Sequence, residues 1–116
     1  MRVLVVDDET DFRESLVEIL GLKGHTTLGA ASVAEYFALE AAEKFDLAVI
    51  DRQLGDGDGL EILRHIRQTR PVPVVLITGS AEFEVASAQS DVSPDLCIAK
   101  PFAVKPLLVF IEQMAD

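Results

Sequence analysis

The chain has 116 residues, 49% of them hydrophobic, and a formal charge of -10. That length suits one domain with a core of its own and is short for two, and the apolar content argues against disorder. The acid excess argues against nucleic-acid binding by this segment, which needs a basic patch, and no apolar run approaches the length of a membrane span.

Val3-Leu-Val-Val6 reads as a short β-branched strand that runs straight into Asp7-Asp8-Glu9, unlike a secretory leader. Phe12, Leu16, Ile19 and Leu20 recur at helical steps, with Gly21 and Gly24 as the stop. A weaker strand covers His25 to Ala30. Ser32-Val-Ala-Glu35 is a capping-box pattern that opens a helix through about Glu43. Leu47 to Ile50 is a short apolar strand that stops at Asp51. A glycine-rich loop follows, and Asp58 with Glu61 caps a third helix with inner face Leu60, Ile62, Leu63 and Ile66. Val74 to Ile77 is the most apolar strand and ends in Thr78-Gly79-Ser80. A fourth helix over Glu82 to Gln89 is weakly marked. Asp95 to Ala99 is the last strand, ending in Lys100-Pro101, and Pro106 suits the first turn of a fifth helix. Five strands alternating with five helices predict an α/β fold, a parallel sheet covered on both faces. The single cysteine, Cys97, allows no intrachain disulfide and fits a reducing cytosol.

The chemistry lies at the carboxyl ends of these strands: Asp7 and Asp8, then Asp51, Thr78 and Lys100. In a doubly wound sheet of order 2-1-3-4-5, strands one and three meet at the switch point, where a crevice opens. Three carboxylates converging there would repel one another and raise their pKa values, so a cation is expected. Oxygen ligands select a hard ion such as Mg²⁺. Lys100 adds a fixed positive charge, the Thr78 hydroxyl a donor, and Gly79 room for an anionic group. Carboxylate, Mg²⁺, lysine and hydroxyl together point to phosphoryl transfer onto an aspartate. Taken singly, each residue has a plainer reading: Asp7 and Asp8 as helix caps, Thr78 as a turn cap, Lys100 as a solvated charge.

Val3-Leu-Val-Val-Asp-Asp-Glu9, then Asp51 with Leu54, Asp58, Gly59 and Leu60, then Ile77-Thr-Gly79, then Lys100-Pro101-Phe102 stand in order with characteristic spacing. In these motifs the whole chain, residues 1–116 as one domain, resembles the receiver domain of two-component response regulators, a five-stranded flavodoxin-like fold. The resemblance implies that Asp51 is the phosphoacceptor. It implies that Asp8, Asp51 and the Gln53 carbonyl bind Mg²⁺ directly, with Asp7 acting mostly through a water. Thr78 and Lys100 would contact the phosphoryl group, and the Lys100–Pro101 bond would be cis. The donor would be a sensor histidine kinase or phosphotransfer protein, and the output a shift in the face formed by the fourth helix, fifth strand and fifth helix. Such a domain is a cytoplasmic switch rather than an enzyme, with a phosphorylation-dependent homodimer among its partners. The expected context is the N-terminal domain of a longer regulator, often DNA-binding; a stand-alone regulator is the alternative.

Two departures from the family pattern stand out. Gly55 takes the place of its usual proline, which predicts a looser loop. Cys97 takes the place of its switch aromatic and is expected simply to pack. Phe12 is expected to contact a partner near the site, with core packing as the alternative. A flavin carrier of the same layered fold would need a phosphate loop where Asp7-Asp8-Glu9 stands. An aspartate phosphatase would need a second acid at position 53, which is Gln. A degenerate receiver that works by partner binding alone is a further alternative: the complete acid set, Thr78 and Lys100 count against it, while Cys97 in place of the switch aromatic keeps it open.

Overall fold

The computed structural model describes residues 1–79, 93–100 and 104–115. The strands are β1 (Arg2–Val6), β2 (Thr26–Ala30), β3 (Leu47–Asp51), the hairpin pair β4 (Gln53–Leu54) and β5 (Gly57–Asp58), β6 (Val74–Thr78) and β7 (Leu96–Ala99). The helices are α1 (Thr10–Leu22), α2 (Val33–Glu40), α3 (Gly59–Thr69) and, last, α4 (Val104–Ala115). The fourth helix read over 82–89 and the geometry of the Lys100–Pro101 bond lie outside the described residues.

Five parallel strands form one sheet in the order β2-β1-β3-β6-β7. With the small hairpin set aside, this is the expected 2-1-3-4-5 order. β3 and β6 are buried along their whole length, as continuous apolar runs in a two-faced parallel sheet should be. Alternate residues serve two cores. Leu4, Val6, Ile50 and Leu76 pack with Tyr36, Ile62, Leu63 and Ile66 under α2 and α3. Val3, Val5, Val49 and Ile77 pack with Leu16, Leu20, Leu107 and Ile111 under α1 and α4. No helix among the described residues is long and apolar enough to cross a membrane.

Two helix ends and one loop differ from the sequence reading. Helix α1 runs through Gly21 to Leu22, and the stop is Gly24, at φ 89°, a conformation that favours glycine. Helix α2 ends at Glu40 rather than near Glu43. The amides of Ala42 and Glu43 both turn back to the Leu39 carbonyl, and this turn carries Phe45 into the core, where it is 4% exposed. The loop after Asp51 contains an antiparallel hairpin, Gln53 opposite Asp58 and Leu54 opposite Gly57.

Candidate functional site

Register brings the acids together. Val6 pairs with Ile50 across β1 and β3, so the next residues, Asp7 and Asp51, stand side by side at the sheet edge. Carboxylate oxygens of Asp7, Asp8 and Asp51 all lie within 4.8 Å of one another. Asp8 is exposed, while Asp7 and Asp51 are 1% and 5% exposed. Neither Asp7 nor Asp8 caps α1: its N-cap is Glu9, which makes no side-chain cap bond.

Each buried acid is oriented locally. Asp7 accepts from the Glu9 amide at 2.8 Å, and Asp51 accepts from the Gln53 amide at 3.0 Å. Arg13 donates to the Asp7 carbonyl at 2.7 Å. The opposite strands contribute the remaining groups. Thr78 closes β6 and is 3% exposed. Its carbonyl accepts from the Lys100 amide, which places Lys100 just past β7. Lys100 Nζ then reaches back to Asp51 at 3.1 Å, Asp7 at 3.2 Å and the exposed Glu9 at 3.4 Å.

Charge and burial compete here. Burial, reinforced by the charge of Asp51, raises the Asp7 pKa above the usual carboxylate value, against the Glu9 amide and Lys100. Burial alone would lower the Lys100 pKa. Hydrogen bonding and attraction from Asp51, and then from Asp7, outweigh it and raise the ammonium above its usual value. One lysine therefore does not relieve Asp7. A clustered all-oxygen set of this kind, part buried and part open, fits a hard divalent cation.

A cleft of about 320 Å³ opens on this cluster, lined by Asp8, Glu9, Asp51, Gln53, Gly79 and Lys100. The six residues singled out from sequence (Asp7, Asp8, Asp51, Gln53, Thr78 and Lys100) thus gather at one edge, with Thr78 buried at the end of β6.

Four further residues shape the site: Phe12, expected near it as a partner contact; Glu9 and Gly59, read from sequence only as motif members; and Asp56, which the sequence did not mark. Glu9 is a third partner of Lys100. Phe12 is half-buried against the α1–α4 core, and its ring centroid lies 4.5 Å from Lys100 Nζ. Asp56, at the hairpin tip, accepts from the Val33 and Ala34 amides at 2.9 and 3.0 Å. These bonds tie the loop to the start of α2, beside the cap that Ser32 makes to the Glu35 amide. Where the family usually has proline, this loop is held by a hairpin and a carboxylate. Gly59 begins α3, and its amide donates to the Arg52 carbonyl at 2.7 Å. Asp58 caps α3 with Glu61 as expected, and also pairs with Arg52. Cys97, opposite Leu76 in the sheet, packs against the α2–α3 core.

Comparison with known proteins agrees with this geometry. The family described as "Response regulator receiver domain" matches residues 3–112. The KDP operon transcriptional regulatory protein KdpE of Escherichia coli is 33% identical over 90% of this chain and 47% of its own length. The chain spans about half the length, or less, of the first curated relatives it matches. A receiver domain protein (CheY-like) from Methanospirillum hungatei has a TM-score of 0.87 at 34% identity, covering 98% of this chain and 93% of that one. The response regulator TrrA from Thermotoga maritima, solved in complex with Mg²⁺ and BeF, has a TM-score of 0.83 at 27% identity, with 97% of each chain covered. Sheet order, acid cluster and lysine coincide with a family match over nearly the whole chain, and the protein belongs to the response regulator receiver domain family.

Proposed function

We propose that residues 1–116 form one receiver domain that accepts a phosphoryl group on Asp51 and thereby switches an effector in a two-component pathway. The observation that carries this is the trio Asp7, Asp8 and Asp51 within 4.8 Å, with Lys100 Nζ 3.1 Å from Asp51. A buried carboxylate beside a lysine, at the mouth of a cleft, is a nucleophile with an anion partner in place.

Asp8, Asp51 and the Gln53 carbonyl would hold Mg²⁺, with Asp7 acting mostly through a water. The raised pKa of Asp7 and the oxygen-only donor set support that assignment. When bound, the ion neutralises charge on the oxygens of the transferring group. An Asp51 oxygen attacks phosphorus. The P–N bond to a donor phosphohistidine breaks as the new P–O bond forms, and the electron pair stays on the departing imidazole. Lys100 exchanges its carboxylate partner for a phosphoryl oxygen, and the Thr78 hydroxyl donates to another. The domain is a switch rather than an enzyme in its own right.

The donor is a sensor histidine kinase or phosphotransfer protein in the cytoplasm. The output surface includes β7, at the sheet edge, and α4, which exposes Val109 and Met114; a second copy and an effector are its partners. The named relative is a transcriptional regulatory protein about twice as long, which supports a place within a longer regulator over a stand-alone switch; the N-terminal position and a DNA-binding output belong to the proposal. The test is incubation with Mg²⁺ and beryllofluoride, followed by amide NMR. Wild type binds and Asp51→Asn does not; equal binding by both refutes the assignment.

A further inference from the structure

We infer that Phe12 is a positioning residue for Lys100: its ring face holds the ammonium at the Asp51 side of the cleft and so raises the rate at which Asp51 takes up phosphate. The inference rests on the phosphoacceptor reading above.

Among the described residues, Lys100 Nζ has two kinds of neighbour. Carboxylates lie 3.1, 3.2 and 3.4 Å away, and the Phe12 ring centroid lies 4.5 Å away. A cation at that distance over a ring face is attracted by the ring quadrupole, more strongly as water is removed, and the Lys100 side chain is only 20% exposed. The two holds differ in what happens to them during the reaction. Asp51 and Asp7 belong to the same acid trio that a cation and a phosphoryl group would engage, so their grip on Lys100 changes as the site loads. Glu9 is a weak tether, 64% exposed. The ring is claimed by neither metal nor phosphate. It is also fixed from behind, because Phe12 packs against the core under α1. A lysine stem carries about 2 kcal/mol of rotamer entropy, and a fixed ring face keeps it from swinging into solvent when the carboxylates are otherwise occupied.

Acetyl phosphate makes the reaction simple to follow. A P–O bond to Asp51 forms, the P–O bond to acetate breaks, and acetate leaves with the electron pair; no proton donor or redox partner is needed. In the full chain, Phe12 is replaced site-specifically by mono-, di- and trifluorophenylalanine, which keep the shape and weaken the ring quadrupole stepwise. Phe12→Leu and Phe12→Tyr complete the series. The first readout is the NMR shift of the Lys100 ε-methylene, which a ring face displaces with or without phosphate. The second is the rate of phosphate uptake. We expect a ring-current shift in wild type that is lost in Phe12→Leu. We expect a rate that falls with each fluorine, by about 2- to 5-fold at the end of the series, the equivalent of a partly exposed cation–π contact. Phe12→Tyr retains both the shift and the rate. The absence of a ring-current shift, or a rate indifferent to fluorination, overturns the inference. Should Phe12→Leu fold poorly, the isosteric fluorinated series still decides. Failure of wild type to take up any phosphate sinks the phosphoacceptor reading instead, and the ring-current shift continues to report on the Phe12–Lys100 contact.

Discussion

Gly59→Ala sets two physical expectations against each other. Helix propensity favours alanine over glycine by up to about 1 kcal/mol inside a helix, so a reading of α3 alone predicts stabilisation. The tertiary structure predicts the reverse. A Cβ on Gly59 would enter the van der Waals shell of the Asp51 carbonyl oxygen, with Arg52 Cα at 2.9 Å and Ile50 Cγ2 at 3.0 Å. Two of these three atoms are backbone, so no side chain can swing aside, and α3 has to back away from the end of β3. Overpacking of this kind costs about 1–3 kcal/mol. At 116 residues, a loss of 1 kcal/mol lowers the melting midpoint by about 4 °C, so the expected drop is about 4–12 °C. Two of the crowded atoms belong to Asp51 and Arg52, so the adjustment also disturbs Asp51 and beryllofluoride affinity falls along with stability. Differential scanning calorimetry and a beryllofluoride titration measure both. A Gly59→Ala protein that melts at or above the wild-type temperature and binds normally refutes the argument.

Other consequences are checked in the same way. Asp7 has a raised pKa when folded, so its proton stabilises the fold at low pH. That stability is lost as pH rises from the unfolded value of 3.8 through the higher folded one; Mg²⁺ should then raise the melting temperature near neutrality, and Asp7→Asn should raise it without metal and blunt the Mg²⁺ effect. Tyr36 is fully buried, its hydroxyl 2.8 Å from His65 Nδ1, and burial pushes it from 10.0 to about 12. Its contribution is intact below pH 10 and is lost between 10 and about 12, with a limiting slope of about 1.4 kcal/mol per pH unit; alkaline melts of Tyr36→Phe should lack that component. Asp56 runs the other way: its amide bonds to Ala34 and Val33 lower its pKa, so its support of α2 holds above 3.8 and is lost as pH falls through the folded value. Asp56→Ala should lower the melting temperature at pH 7 and flatten the loss on the acid side, as followed by circular dichroism.

What could be read from the sequence followed burial and period. β3 and β6 are unbroken apolar runs, and such runs have little alternative to a buried parallel strand. The strand-end residues Asp7, Asp51, Thr78 and Lys100 could be listed before the register was known, because each ends its strand or follows it directly. The rest depended on tertiary contact. β4 and β5 are two residues each, too short to carry a period. Asp56 reads as one more acid in a glycine-rich loop, yet it spans 23 residues to reach the Val33 amide. Gly59 reads as a helix start, and only the approach of β3 explains why no larger residue fits there. Phe12 is expected from sequence to contact a partner near the site, with core as the alternative; it is half-buried against the core, and the Lys100 contact, which the sequence did not indicate, joins it to a residue at the far end of the chain.

The bond between Asp56 and the start of α2 bears on how this domain could be recombined with its relatives. A chimera that takes α2 from one parent and the 53–58 loop from another would separate a carboxylate from the two amides it serves. Gly57 adds steric matching, since a Cβ there would stand 3.1 Å from Val33 Cγ2. Segments 32–34 and 53–58 therefore behave as one heritable unit despite their distance along the chain, and crossover points chosen by secondary structure alone would cut through it.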